Sequence, residues 1–150
     1  DGIMIVAPYY NKPSQIGILK HFESIKNTTD LPIMAYNIPG RTGTLIELDT
    51  IEKLIKDVGI HSIKDAVGNF DFSREELTRF KGDVFIYSGD DALTKNFIEN
   101  GAVGVVSVAS HLVGRQIKEM INRILEDKKT EAENIHQILL PFIEAIFEVA

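Results

Sequence analysis

Five short apolar runs alternate with helical patterns along the chain, and this alternation constrains the fold more than any other feature. The runs lie at residues 3–7, 32–36, 60–64, 84–88 and 104–108. Between them, apolar residues recur every three or four positions, as in helices that pack one face against a sheet. Strands that alternate with helices in this way form parallel sheets. The sequence therefore predicts an α/β protein built on a parallel sheet.

Two architectures are compatible with five strand–helix units. A doubly wound open sheet can be complete with five strands, whereas a (β/α)8 barrel has eight units and about 250 residues. The chain has 150 residues, and the periodicity alone does not separate the two architectures. We assign residues 1–127 to five βα units and residues 128–150 to the start of a C-terminal helical extension, in which Pro141 is expected to produce a kink. Both ends read as the interior of folded segments, so we expect a piece of a longer protein.

Composition excludes several classes of function. The net charge of −6 and the pI of about 5.2 argue against a nucleic-acid-binding surface, which requires clustered basic residues. No run of about 18 apolar residues is present, so no membrane span is expected. The absence of cysteine excludes disulfides and cysteine-based zinc sites. We expect a soluble, cytoplasmic domain with neither nucleic acid nor membrane as a partner.

Polar and reactive residues recur where the predicted strands end. The C-terminal ends of parallel strands meet at one edge of the sheet, where ligands bind in both candidate architectures. The sequence therefore predicts a ligand site at this edge. The residues at the five strand ends are Tyr9 and Tyr10, Tyr36 with Arg41, Lys64, Gly89 with Asp90, and Ser107.

Lys64 is the most informative of these residues, because it is the only lysine that continues an apolar strand run. Desolvation lowers the pKa of a lysine and frees the neutral amine that attacks a carbonyl carbon. The alternative is a strand-end lysine that reaches into solvent or pairs with Asp65. Lys64 by itself does not decide between a nucleophilic amine and a solvent-facing or ion-paired lysine.

Tyr36 and Arg41 follow the strand before that of Lys64. A phenol beside the lysine can relay protons, and a guanidinium suits a substrate carboxylate. The alternatives are a rim tyrosine and a surface arginine. We interpret Asp90 or Asp91 as a helix N-cap and expect no metal site.

Three segments resemble the signature segments of the dihydrodipicolinate synthase family. They are PYYNKPSQ at residues 8–15, YNIPGRTG at 36–43 and IKDAVGN at 63–69. SGDD at residues 88–91 and GVVSV at 104–108 are similar to two further family segments, in the same order. The resemblance covers the whole chain and implies the (β/α)8 TIM barrel fold, with these five strands as strands 4 to 8.

The resemblance also implies roles for individual residues. Lys64 would be the Schiff-base lysine that condenses with pyruvate, and Tyr36 would relay protons to and from the bound keto acid. Arg41 would receive the carboxylate of aspartate semialdehyde, and the main-chain carbonyl of Val106 would face bound pyruvate. Tyr10 would act across a dimer interface in a neighbouring subunit's site. No cofactor is implied, and a homo-oligomer, a dimer or tetramer, is expected.

Two alternatives accompany this assignment. An N-acetylneuraminate lyase-like enzyme places a lysine and a tyrosine in the same relation, although Arg41 followed by Thr42 argues against it. A non-catalytic barrel fragment is the other alternative, because the first three strands of the family barrel are not in this sequence.

Overall fold

The five apolar runs form five parallel strands in a computed structural model that describes residues 1–148. The strand order in space follows the order in the chain, from β1 to β5. A doubly wound sheet reverses its strand order at a switch point, and no reversal occurs among these five strands. The topology therefore favours the singly wound arrangement of a barrel. The strands are β1 (Ile3–Val6), β2 (Ile33–Asn37), β3 (Ser62–Asp65), β4 (Phe85–Ser88) and β5 (Gly104–Val105).

Helices connect successive strands and extend beyond the last one. They are α1 (Gln15–Lys26), the short α2 (Pro39–Thr42), α3 (Leu48–Lys53) with a π-helical turn at Leu54–Val58, α4 (Phe70–Arg79), α5 (Thr94–Glu99), α6 (Ser110–Leu125) and α7 (Lys129–Phe147). None of these helices is long and apolar enough to span a membrane.

The two faces of the sheet have different surroundings. On one face, strand residues such as Ile33, Ile63 and Ile86 pack against the helices, where Ile18 and Phe22 of α1 are wholly buried. Burying each such side chain contributes about 1.5–3 kcal/mol. The strand residues of the opposite face are Met4, Val6, Met34, Tyr36, Ser62, Lys64, Phe85 and Tyr87. Met4 and Phe85 on that face are half-exposed.

One boundary differs from the sequence predictions in an informative way. The fifth strand was expected to reach residue 108, but only Gly104 and Val105 pair with β4. The chain then leaves the sheet, because Asp91 accepts hydrogen bonds from the backbone N–H groups of Val108 and Ala109, both at 3.0 Å.

The final helix contains Pro141 and continues past it, and the kink expected at this proline stays a prediction. The proline removes one backbone donor from the helix. The carbonyl of Gln137 loses this donor, and both Pro141 and Gln137 are exposed residues. The helical extension expected at residues 128–150 includes residues 149–150, which lie outside the described residues.

Candidate active site

A cavity of about 540 Å³ opens at the C-terminal edge of the sheet. It brings Tyr36 and Arg41, which share one segment, together with Lys64 of the next strand. Its other lining residues are Met4, Val6, Tyr9, Ile38, Thr42, Gly89, Val108 and Phe147. The polar residues that were expected to meet at the strand ends therefore include a group that lines one cavity.

Lys64 lies in β3 directly beside Tyr36 of β2 in the strand register. Only 7% of Lys64 is exposed, and its Nζ lies 4.1 Å from the centroid of the Tyr36 ring. No carboxylate among residues 1–148 lies within ion-pair distance of this Nζ; in particular, Lys64 does not pair with Asp65. A buried amine without a counter-ion is disposed to react as a nucleophile.

The lack of a side chain at Gly89 leaves room for the side chain of Lys64. A Cβ atom at residue 89 would lie 2.9 Å from Cγ and Cε of Lys64 and 2.9 Å from Cβ of Ala66. These distances are shorter than van der Waals contact, and the backbone of Gly89 does not have a positive φ. The requirement for glycine at this position is therefore steric, because a Cβ atom there would overlap the aliphatic part of the Lys64 side chain.

Asn37 holds the loop that carries Arg41. Its side chain is buried, donates from Nδ2 to the carbonyl of Ile46 and accepts at Oδ1 from the N–H of Ile46, both at 3.0 Å. The hydroxyl of Thr42 donates to the carbonyls of Ile38 and Thr44 at 3.1 and 2.8 Å. These bonds satisfy backbone groups that have no strand partner, and they fix the loop at the rim of the cavity.

Gln15 joins the beginning of α1 to the same region. Its Nε2 donates to the carbonyl of Leu45 at 2.8 Å, and its Oε1 accepts from the backbone of Glu47 and the hydroxyl of Thr50. Two structural elements therefore support the segment after Arg41.

Two adjacent aspartates have separate structural roles after β4. Oδ1 of Asp90 accepts from the N–H groups of Ala92 and Leu93, as a capping residue does. Regular helix α5 begins at Thr94, so Asp90 caps the turn that precedes the helix. Asp91 instead binds the segment after β5. Among residues 1–148, no group of three or more acidic or histidine side chains is arranged to bind a metal ion.

Two predicted site residues do not line this cavity. Tyr10 is 93% exposed, and its neighbour Tyr9 lines the cavity instead. Val106 follows β5, and its N–H donates to the carbonyl of Ser88 at 2.8 Å. The trans role of Tyr10 and the role of the Val106 carbonyl stay predictions.

Sequence reasoning did not identify the residues that position the site. Asn37, Gly89 and Asp91 act through contacts with distant segments, and helical or strand periodicity carries no signal for such contacts. Gly89 was expected only as one of the residues at the strand ends, and Asp91 only as a candidate helix N-cap. A glycine directly after a strand that neighbours the lysine strand was the one available indication of close packing.

The sheet and the cavity together define an α/β protein with a buried lysine amine at the C-terminal edge of parallel strands. Residues 1–150 match the Dihydrodipicolinate synthetase family, and the chain belongs to this family. The resemblance found in the signature segments is therefore confirmed.

Individual relatives agree with this assignment. The 4-hydroxy-tetrahydrodipicolinate synthase 1 of Halalkalibacterium halodurans is 46% identical over 147 residues, which are 98% of this chain and 50% of that protein. The chloride-inhibited dihydrodipicolinate synthase from Acinetobacter baumannii, solved in complex with pyruvate, has a TM-score of 0.92 at 30% identity, covering 98% of this chain and 50% of that one. A monomeric dihydrodipicolinate synthase variant has a TM-score of 0.92 at 31% identity, covering 97% and 50%.

The structural relatives are TIM barrels, which confirms the predicted fold class. The chain spans about half the length of the relatives it matches. Its assignment to strands 4 to 8 of the barrel, and the division at residue 127, stay predictions.

Proposed function

We propose that the full-length protein condenses pyruvate with L-aspartate 4-semialdehyde, as a lyase of the 4-hydroxy-tetrahydrodipicolinate synthase type in lysine and diaminopimelate biosynthesis. The observation that carries this proposal is the buried amine of Lys64, 4.1 Å from the Tyr36 ring centroid in a cavity that Arg41 also lines. The chemistry requires no cofactor, because the amine itself activates the keto acid.

Lys64 forms the covalent intermediate in this proposal. Its neutral amine attacks the keto carbon of pyruvate, and loss of water gives the imine. The imine withdraws electrons from the adjacent methyl group, so that loss of a proton gives an enamine. The enamine carbon attacks the aldehyde carbon of the second substrate, and the product cyclises and leaves the lysine. Only 7% of Lys64 is exposed, so the imine would form in a largely enclosed part of the cavity.

Tyr36 and Arg41 serve the two substrates. The Tyr36 ring borders Lys64, so its hydroxyl is suited to deliver and remove the protons of imine formation. Arg41 lies on the loop held by Asn37 and faces the same cavity, where a guanidinium binds a carboxylate with two parallel hydrogen bonds. In this arrangement, Arg41 selects an acceptor aldehyde that carries a carboxylate.

The names of the relatives support the choice of substrates in this proposal. The Acinetobacter baumannii enzyme was solved with pyruvate bound, and the curated relatives are named 4-hydroxy-tetrahydrodipicolinate synthases. A cytoplasmic location is part of the same proposal.

The proposed complete fold is a closed barrel in which these strands are strands 4 to 8. The strand face opposite the helix core carries Met4, Met34, Phe85 and Tyr87, which are apolar or aromatic. In a closed barrel the inward-facing side chains of all eight strands pack against one another. Closure would therefore bury this face and complete the walls of the cavity around Lys64.

We further propose that Tyr10 completes the site of a neighbouring subunit in a homo-oligomer. Its 93% exposure leaves its side chain available to a second copy. The monomeric variant among the structural relatives represents the opposing case. Mixing two inactive full-length variants, Tyr10→Phe and Lys64→Arg, under subunit exchange restores part of the activity if Tyr10 acts in trans. If exchange is complete and no activity returns, Tyr10 has no such role.

The alternative function is cleavage of N-acetylneuraminate, which also uses a Schiff-base lysine beside a tyrosine. The presence of Arg41 in the cavity favours an acceptor with a carboxylate close to the aldehyde. The two functions differ in their effect on pyruvate: condensation with L-aspartate 4-semialdehyde consumes it, whereas cleavage of N-acetylneuraminate releases it.

The test measures pyruvate consumption by the full-length protein with L-aspartate 4-semialdehyde, and pyruvate release from N-acetylneuraminate in parallel. We expect consumption in the first assay only. Lys64→Arg removes the activity by several orders of magnitude, because a guanidinium does not form the imine. Lys81→Arg is the matched control, since Lys81 is exposed and lies before β4, at the opposite edge of the sheet. Release of pyruvate from N-acetylneuraminate alone would replace the proposal with the alternative.

A further inference from the structure

Two carboxyl groups are buried on the far side of β3 from the cavity. Asp65 and Glu76 are both completely inaccessible to solvent. Successive side chains of a strand point to opposite faces, so Lys64 faces the cavity and Asp65 faces helix α4, which carries Glu76. The pair therefore joins α4 to the residue that follows the reactive lysine.

The hydrogen bonds of this pair are unequal. Asp65 accepts from the hydroxyl of Ser73 at 2.5 Å and from the N–H of Val67 at 2.8 Å. Neither carboxyl oxygen of Glu76 has a donor among the described residues. Two ionised carboxylates do not bond to each other, because both only accept. A proton on Glu76 would provide the missing donor, and Asp65 lies within hydrogen-bonding reach as the acceptor.

No cation neutralises either carboxylate within residues 1–148. The strand neighbours of Asp65 in the register are Asn37 and Ser88, which are uncharged. The other charged residue that acts on Asp65 is Asp90, which is also acidic. The basic residues of α4 and α5 are engaged elsewhere: Arg74 with Asp71, Arg79 with Asp49 and Glu52, and Lys95 with Glu99 and Glu133.

Burial is the main influence on both groups. It raises the pKa of Glu76 well above the ordinary glutamate value, and the charge of Asp65 and a hydrogen bond to it raise that pKa further. Burial also raises the pKa of Asp65, while the hydrogen bonds from Ser73 and Val67 lower it in part. Interacting carboxyl groups titrate as a pair: the first proton lost leaves one charge that the other carboxyl group can hydrogen-bond, whereas the second loss places two like charges together in the interior.

We propose that Glu76 is a positioning residue for Lys64: it carries a proton at neutral pH and donates it to Asp65, which fastens helix α4 to the end of β3 that holds the lysine. Ionisation of Glu76 removes this hydrogen bond and places two negative charges side by side in the protein interior. The proposal rests on the proposed function only where it concerns the reactivity of Lys64.

The test compares the full-length wild type with Glu76→Gln and Glu75→Gln. The glutamine amide at residue 76 is a donor at every pH, whereas Glu75 is an exposed carboxylate on the same helix and serves as the matched control. The native state keeps the Glu76 proton to a higher pH than the unfolded chain does. The wild type therefore loses stability as pH rises from the ordinary glutamate pKa through the raised one, and Glu76→Gln does not.

Denaturant midpoints are measured between about pH 5 and pH 9, a range that begins above the ordinary glutamate pKa. We expect the midpoint of Glu76→Gln to rise steadily relative to the wild type with pH, while Glu75→Gln follows the wild type. A difference that is constant across this range overturns the proposal. If Glu76→Gln does not fold, the infrared carbonyl band of a buried protonated carboxyl in the wild type at neutral pH decides the question, and its absence overturns the proposal.

The second readout is the rate at which pyruvate and borohydride label Lys64. We expect the ratio of the Glu76→Gln rate to the wild-type rate to increase several-fold over the same pH range, because only the wild type loses the Glu76 hydrogen bond as pH rises. A ratio that does not change with pH overturns the positioning role. If pyruvate labels neither protein, the proposed function fails, and the midpoint comparison still decides whether Glu76 holds the proton.

Discussion

Replacing Gly89 by alanine tests how closely the structure constrains the lysine. The added Cβ would lie 2.9 Å from Cγ and Cε of Lys64, whereas ordinary contact begins at 3.4 Å. Relief requires a displacement of about half an ångström, and overpacking of this kind costs about 1–3 kcal/mol. Because a misplacement of about 1 Å costs roughly a hundred-fold in rate, we expect pyruvate to label Lys64 about ten-fold more slowly. Borohydride trapping of the full-length protein, quantified on the Lys64 peptide, measures the rate, and denaturant unfolding measures the stability.

Gly40→Ala is the control for this experiment. Gly40 lies in α2 next to Arg41, no heavy atom lies within 4 Å of the position of its added Cβ, and its φ is not positive. Alanine at such a site stabilises by about 0.4–1 kcal/mol through the unfolded chain. We expect Gly40→Ala to keep the labelling rate. If Gly89→Ala labels as fast as the wild type and unfolds at the same midpoint, the steric argument for Gly89 is wrong.

Two further substitutions address the loop beside the lysine. Asn37→Ala leaves the buried N–H and carbonyl of Ile46 without partners, so we expect a loss of roughly 2–5 kcal/mol in the free energy of unfolding. The exposed Asn27→Ala is expected to change stability by less than about 0.5 kcal/mol, and an equal effect of the two would refute the role of the Asn37 clamp. Arg41→Ala is expected to reduce kcat/KM for L-aspartate 4-semialdehyde by roughly ten- to a hundred-fold, since a charge-assisted hydrogen bond contributes about 1.5–3 kcal/mol. Unchanged kinetics with this aldehyde would show that Arg41 does not bind its carboxylate.

The positions of the strands along the chain and their parallel direction followed from the sequence, because buried parallel strands carry a local signal. Polar residues lie at or next to the C-terminal end of each apolar run, and parallel pairing brings those ends to one edge of the sheet. The positions of Tyr36, Arg41 and Lys64 around one cavity follow from this rule and the connection lengths. The choice between the two sheet architectures became clear only from the strand order, which is a long-range property.

The residues that position the site were not predictable in the same way. The run at residues 104–108 has strand character throughout, but a contact with Asp91, 17 residues earlier than Val108, ends the strand after two residues. Glu76 lies in a charged helical pattern that resembles a solvent-exposed face, although the residue is completely buried. Tertiary packing determines both outcomes, and no local pattern of residue types records it.

The central claim is that Lys64 forms an imine with pyruvate, and peptide mapping after borohydride reduction tests it most directly. The full-length protein is incubated with pyruvate and borohydride, digested and analysed by mass spectrometry. The account predicts a reduced pyruvyl adduct on the peptide that contains Lys64, which is absent from Lys64→Arg and present in Lys81→Arg. An adduct on a different lysine, or no pyruvate-dependent adduct in the folded wild type, would contradict the account.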